Sequence, residues 1–333
     1  RLTSTAFVVR MKLFIYEYSS ASPDAPMELR REGRVMLLAL LHDLNQITGA
    51  SPFTILASPT ISVSCPWIEA DLSDERKQFQ RCAQEADHCW IIAPECDQIL
   101  LERTQWAQEV GASWIGCSPQ VIALATDKSL FGEHLRSHQI PTPDILSPSN
   151  VTFPVVAKLR DGAGSQEMRV LRDPHELDEL GERFILQPML PGEPVSVALL
   201  AGPHKRLILP PASQRLTQEG RFQYLGGELP ISPHKAARAR LLAERVVDTL
   251  SGLKGYVGLD MILGDVEDGS RDFVIELNPR LTTSYVGLQA LCEDNLAEVM
   301  LRLARGEEAG PVRWLDRVVH FTAEGEVSFL KIR

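Results

Sequence analysis

The chain has 333 residues, 44% of them hydrophobic, and a formal net charge of −10. That acidity argues against a general nucleic-acid or anionic-membrane surface, while leaving room for a local cationic pocket that takes phosphate. The length suits two or three domains or one multi-lobed enzyme, and no segment approaches the ~20 apolar residues of a membrane span.

The best apolar run, "VMLLALLHDL", is short and is interrupted by His42 and Asp43. "RLTSTAFVVR" shows no signal-peptide core, so Met11 reads as an internal or true start and residues 1–10 as a tag or dispensable extension. From there "KLFIYEY" reads as a buried strand, "EGRVMLLALLHDLNQ" as a helix and "PFTILAS" as a second strand. The helix "RKQFQRCAQEA", the strand "HCWIIAPE", the helix "DQILLERTQWAQEVG" and a fourth strand "ASWIGCS" follow. Strands alternating with helices predict a parallel, doubly wound α/β domain over residues 11–118. Ligands of such sheets sit at the carboxyl ends of the strands, where Glu17 and Glu95 fall; both are read as solvated loop carboxylates.

The pattern then changes. "TDKSLFGEHLRSHQ" is a helix and "IPTPDILSPSN" a proline-rich connection. The strands "FPVVAKLRD", "QEMRVLR" and "RFILQPML", with a helix "PHELDELG" between the last two, make a small α+β lobe over residues 119–190. A larger lobe, residues 191–333, holds "VSVALLAG", "KRLILPP", "RFQYLGGEL", the helix "PHKAARARLLAERVVDTLSG", and the strands "GYVGLDMILGD" and "DFVIELNP". The tail "DRVVHFTAEGEVSFLKI" reads as a hairpin turning at Glu324-Gly325, with no functional signal. Six cysteines, with no C-x-x-C pair and no zinc spacing, read as reduced, mostly buried thiols of a cytoplasmic protein.

Four features carry chemistry. Lys158 lies on a strand that runs into a loop with Gly162 and Gly164. Glycine backbone there can approach phosphate oxygens and the lysine adds a point charge. The loop matches neither the P-loop nor the dinucleotide-binding pattern, and a hairpin turn with a snorkelling lysine fits it equally. Lys128 starts a helix, where the dipole disfavours a cation, although many exposed lysines sit so. Gln187–Leu190 can leave the sheet ladder and offer backbone groups to an adenine edge, with Glu193 near a ribose; the alternative is an ordinary lobe linker. Asp260 and Glu276 lie on apolar strands, and period two puts Glu276 and Asn278 on one face with Ile275 and Leu277 on the other. A carboxylate among Val, Ile and Leu is costly unless compensated, by a metal ion or by a salt bridge. Two carboxylates and an amide oxygen form the all-oxygen set that Mg²⁺ accepts beside substrate phosphates.

In this order and spacing the features resemble the ATP-grasp superfamily over roughly residues 120–305, preceded by that family's usual Rossmann-like N-terminal domain. The resemblance implies two α+β lobes holding ATP, Mg²⁺ (or Mn²⁺) as cofactor, and carboxylate–amine ligation through an acyl phosphate with release of ADP. It implies that Lys128 and Lys158 bind phosphate, with Asp161–Ser165 a loop over it in which Gly162, Gly164 and Ser165 take part. Gln187, Met189 and Leu190 would be the adenine hinge, Glu193 the ribose ligand, and Asp260, Glu276 and Asn278 the metal set. Arg280, with Lys158, would be catalytic, directed at the transferring phosphoryl group. Two departures stand out: Gln187 replaces a common Glu, and Gly258 replaces the arginine of the D-alanine–D-alanine ligase branch. A finer resemblance, to the tyramine–glutamate ligase branch of methanofuran biosynthesis, rests on "FIYEYSSA", "EGRVML", "IAPE", "YLGGELP" and "ELNPRLTTSYVGL". It implies glutamate and a tyramine-like primary amine as small-molecule substrates, with no nucleic-acid or membrane partner and a homodimer as one admissible assembly. Tyr16 and Tyr18 are read as core packing, with walls for an aromatic amine the alternative. The rival functions are a ligase or phosphotransferase for an unrelated acid, and a nucleotide-binding regulatory module.

Overall fold

Side-chain alternation organises the first layer of the computed structural model, which describes residues 10–162, 167–218 and 220–330. Along the strand Met11–Glu17, Leu13 and Ile15 join Leu37, Leu40, Leu41 and Leu44 of the helix Met27–Gln46. Phe14 and Tyr16 point the other way and pack with Phe79 and Ala83 of the helix Glu75–Glu85. Helices on both faces of a parallel sheet make this continuous apolar run. The strand lies between Ala50–Leu56 and His88–Ile92, parallel to both, with Trp67–Glu69 added outside Ala50–Leu56. The expected fourth strand at 112–118 contributes only an isolated bridge from Trp114 to Cys89. Its length is consumed by the turn at Gly111, where φ is +67°, and by Ser118, which caps the next helix, Pro119–Thr126.

Glu17 is not solvated. It is 2% exposed, and it accepts hydrogen bonds from the Ser19 and Ser20 N–H groups at 2.9 and 2.7 Å and from Ser19 Oγ at 2.8 Å. These bonds cap the single turn Tyr18–Ala21. Burial still pushes its carboxyl above the ordinary range. Gly33 lets the next helix lie against this cap, since a Cβ there would stand 2.2 Å from Glu17 Oε1. Ser19 Oγ also reaches the carbonyl of Leu29 at 3.1 Å, so the first turns of Met27–Gln46 are pinned beside the end of the strand. Tyr16 is core, its hydroxyl donating to Glu75, and Tyr18 packs under the Arg103 guanidinium.

The small lobe is a three-stranded antiparallel sheet with Val155–Leu159 between Arg169–Leu171 and Phe184–Pro188. Val155, Ala157, Leu171 and Leu186 form its core, which turns Val156, Lys158 and Gln187 to the opposite face. The helix expected at 174–181 is one 3₁₀ turn, Pro174–Leu177, opened by an Asp173–Glu176 capping box and followed by turns at Leu180 and Phe184.

The large sheet is antiparallel. Glu193–Ala201 pairs with Gly255–Leu263 from Gly255↔Ala201 to Leu263↔Glu193, and Phe273–Asn278 lies beyond. Val195, Val197, Leu199, Val257, Leu259 and Met261 pack on Ala239, Leu242 and Val246 of the helix Pro233–Val247. Ala198, Leu200 and Tyr256 turn the other way, toward the helices Ser284–Leu291 and Leu296–Ala304. The sheet continues through Ala212–Leu216, Tyr224–Leu229, Val318–Thr322 and Val327–Leu330. The last two form the expected hairpin, with Gly325 at φ +86°.

Gly33→Ala tests how firmly the first helix is seated. Overpacking at a site backed by a buried carboxylate should cost about 1–3 kcal/mol in denaturant unfolding. An unchanged unfolding midpoint would show that the helix shifts freely.

Candidate active site

Strand register places the central acids. Asp260 lies opposite Ser196 on one side and Glu276 on the other, so the three form a row across adjacent strands. A bulge between Asp260 and Met261 pairs Met261 with Val274 and leaves Ile275 out of the ladder. Ile275 therefore faces the same cavity as Glu276, against the simple alternation expected from sequence, while Leu277 stays in the core. The cavity has a volume of about 880 Å³ and lies between the small lobe, the large sheet and the first turns of Met27–Gln46.

Asp260 accepts hydrogen bonds from Gln214 Nε2 at 2.8 Å and Asn278 Nδ2 at 2.9 Å. Lys128 Nζ stands 3.4 Å from Glu276 Oε2 and donates to the carbonyl of Gly162. Lys158 is 3% exposed on the cavity face of the small lobe, and among the described residues it makes no hydrogen bond or ion pair. Burial pulls the Lys158 ammonium down to about 8, against the pull of Glu276. Burial and the neighbouring Glu276 charge push Asp260 up to about 7. Burial also acts on Glu276, but Lys128 and Lys158 outweigh it and hold that carboxyl below its ordinary value. The arrangement is a buried cluster of two acids from one sheet and two lysines from the small-lobe side.

Arg280 borders the cavity just beyond the Glu276 strand. Its Nε and Nη2 donate to Glu95 Oε2 at 3.1 and 2.9 Å, and Nη1 donates to the Leu281 carbonyl at 3.1 Å. Burial works against its charge, but Glu95 more than offsets this and holds the guanidinium above its ordinary value. Glu95 is thus a buried ion-pair partner, 5% exposed, and not the solvated carboxylate expected from its place after a strand. Nothing local in "IAPE" announces a cation that arrives 185 residues later.

The remaining expected residues divide. Gln187, Met189 and Leu190 line the cavity, but Gln187 is still in the ladder opposite Val156, and the strand runs on through Pro188. Glu193 is not brought to the cavity wall; it is exposed and held by Lys235 Nζ at 2.5 and 2.6 Å. Gly162 is engaged through its carbonyl, and Lys128 begins a helix whose end is capped by Asp127. Gly164 and Ser165 lie outside the described residues. Gln214 was not anticipated, because "ASQRL" carries no apolar alternation to mark it as a strand. Ala323 and Glu324 of the tail hairpin also line the cavity, which gives that hairpin a place in the site.

Among the described residues, no group of three or more His, Cys, Asp or Glu side chains is arranged to hold a metal. Asp260, Glu276 and the Asn278 amide are instead a compact set of hard oxygen donors. That set suits Mg²⁺, which keeps its remaining positions for water and phosphate.

Residues 52–122 match the pre ATP-grasp 3 domain and residues 125–284 the ATP-grasp domain. The protein is an ATP-grasp enzyme: a pre-ATP-grasp domain followed by the ATP-grasp fold. It is 26% identical over 316 residues to tyramine--L-glutamate ligase of Methanocaldococcus fervens, a match covering 89% of this chain and 95% of the relative. An ATP-grasp superfamily protein from Archaeoglobus fulgidus superposes with a TM-score of 0.73 at 25% identity, covering 93% of this chain and 92% of that one. The ADP complex of N5-carboxyaminoimidazole ribonucleotide synthetase shares the fold, with a TM-score of 0.72 at 18% identity over 94% and 81% of the two chains.

The acid cluster makes a pH prediction. With its value raised from 3.8 to about 7, folded Asp260 keeps a proton that the unfolded chain has lost, so this group's contribution to stability falls as pH rises across that window. Asp260→Asn should therefore be more stable than wild type in metal-free buffer at about pH 8, by on the order of 1–4 kcal/mol at about 1.4 per pKa unit. The gap should close toward about pH 4 in denaturant titrations. A gap that does not vary with pH would show that Asp260 titrates normally.

Proposed function

We propose that this ATP-grasp ligase joins an amino-acid carboxylate, glutamate first, to a primary amine of the tyramine kind through an acyl phosphate. The observation that carries the reading is the convergence of Lys158, Asp260, Glu276 and Asn278 on one cavity that Arg280 borders. The likeness to tyramine--L-glutamate ligase over most of both chains supports the substrate classes.

The chemistry follows from charge. Lys158, with Lys128 behind Glu276, offers cations to the polyphosphate, and Met189 and Leu190 present the segment for adenine. Asp260, Glu276 and Asn278 would hold Mg²⁺, which supplies positive charge to phosphoryl oxygens. Arg280 steers the substrate carboxylate so that its oxygen attacks the γ-phosphorus; the bond to the β–γ bridging oxygen breaks and ADP leaves with the electron pair. The amine nitrogen then attacks the acyl carbon, the carbon–oxygen bond to phosphate breaks, and phosphate departs. The guanidinium offsets negative charge on the tetrahedral intermediate.

Enzyme incubated with MgATP, glutamate and tyramine should yield ADP, phosphate and an amide visible by mass spectrometry, with no amide when tyramine is omitted. AMP and pyrophosphate as products, or no amide with any amino acid and amine pair, would defeat the proposal.

Lys158→Ala should lower kcat/KM for ATP by about ten- to a hundredfold, the worth of a charge-assisted contact in a desolvated cleft. Glu193→Ala should stay within about twofold, since its pair with Lys235 is exposed. Near-wild-type kinetics for both variants would remove Lys158 from the phosphate site.

A further inference from the structure

Asp260 is reached from both sides of its sheet. It lies opposite Glu276 on Phe273–Asn278 and opposite Ser196 on Glu193–Ala201, and Ser196 in turn lies opposite Ala212. Alternation puts Gln214 on the same face as Ala212, with one strand between it and Asp260. Small neighbours let it lean across. Ser196 keeps the intervening strand low, and the cross-strand partner of Gln214 is Gly227, which has no side chain to compete for the space. The Gln214 amide thus donates to Asp260 Oδ1 at 2.8 Å, while Asn278 holds Oδ2 at 2.9 Å from the other side. Among the described residues the Gln214 side chain makes no other hydrogen bond, and it lines the cavity.

We infer that Gln214 is a positioning residue for the divalent cation: it fixes the orientation in which the Asp260 carboxylate meets the metal. The inference rests on the metal assignment in the ligase reading above and adds a residue to it. Both groups that hold Asp260 are neutral amides. A carboxylate has about four lone-pair sites, so one donor on each oxygen leaves each oxygen free to accept again. A lysine or arginine in place of Gln214 would hold the carboxylate as firmly, but its charge would repel a divalent cation at the same site. Amides orient without that penalty. Asn278 does this from within the proposed metal set, with its Nδ2 on Asp260 and its oxygen left over for the metal. Gln214 does it from a strand that contributes no ligand. The competing role, satisfying a buried carboxylate and nothing more, would show in stability alone.

The test compares wild type with Gln214→Met, which keeps the length of the side chain and removes the donor. Mn²⁺ titrated into the enzyme–ATP complex, followed by electron paramagnetic resonance, should bind the variant at least about tenfold more weakly, the usual worth of a group that orients a metal ligand. In turnover with ATP, glutamate and tyramine, half-saturating Mg²⁺ should rise by a similar factor. At saturating Mg²⁺ kcat should stay within about threefold, with KM for glutamate and tyramine unchanged. Once Asp260→Asn is in place, adding Gln214→Met should weaken Mn²⁺ by no more than about twofold, because the residue it acts through is gone. Unchanged Mn²⁺ affinity in Gln214→Met, whatever its melting temperature, overturns the inference, as do additive losses in the double variant. A fall in kcat that excess Mg²⁺ does not restore sets Gln214 against the substrates and overturns it too. Gln214→Asn, one methylene shorter, guards against a misfolded Met variant and should show the same loss of Mn²⁺. A wild type that binds Mn²⁺ with ATP but forms no amide fails the ligase reading and leaves Gln214 in its role. A wild type that binds no Mn²⁺ with ATP overturns the metal assignment and this inference together.

Discussion

Two carboxylates held opposite each other on neighbouring strands, Asp260 and Glu276, set the terms for everything around them. Removing such charges from water is costly, so the fold must supply compensation. It does so unevenly. Glu276 faces Lys128 and Lys158, whereas Asp260, among the described residues, accepts hydrogen bonds from the amides of Gln214 and Asn278 and is pushed toward neutrality. The same lysines are suited to polyphosphate and the same acids to a divalent cation, so the cluster that strains the protein is the one the proposed chemistry needs. Sites of this kind commonly carry a stability cost that function repays.

Three separately built pieces meet at that cluster. The large sheet contributes the acids because its opposite face is committed to the helix Pro233–Val247. The small sheet contributes Lys158 because Val155, Ala157 and Leu186 claim the other side. The parallel domain contributes less visibly: Glu95 grips Arg280 from one of its strand ends, and the Glu17 cap with Gly33 sets the first turns of Met27–Gln46 against the cavity. The N-terminal domain thus fixes the arginine that borders the cavity and supplies one cavity wall.

Much of this was legible in the sequence, for a physical reason. A charged residue inside an apolar strand has few explanations, so Asp260 and Glu276 stood out, and Asn278 followed from the period of two. Lys158 before a glycine loop was visible for the same reason. What escaped depends on long-range partners or on irregular backbone. Glu95 looked like a loop acid because its arginine is distant in sequence, and Glu17 because its cap is made by the next turn. Ile275 was assigned to the wrong face because a bulge leaves no compositional mark. Ala212–Leu216 is too polar to read as a strand, so Gln214 was missed. The helix Leu296–Ala304 could have been found, since Leu296, Ala297, Met300, Leu301 and Ala304 follow the i, i+1, i+4, i+5, i+8 spacing of a buried face.

The central claim is that a substrate carboxylate oxygen, and no other nucleophile, attacks the γ-phosphorus of ATP. Glutamate labelled with ¹⁸O in its carboxylates, turned over with tyramine and MgATP, tests it directly. The account predicts that each phosphate released carries one labelled oxygen transferred from the acid, while ADP carries none. Unlabelled phosphate, or label recovered in AMP, would contradict it.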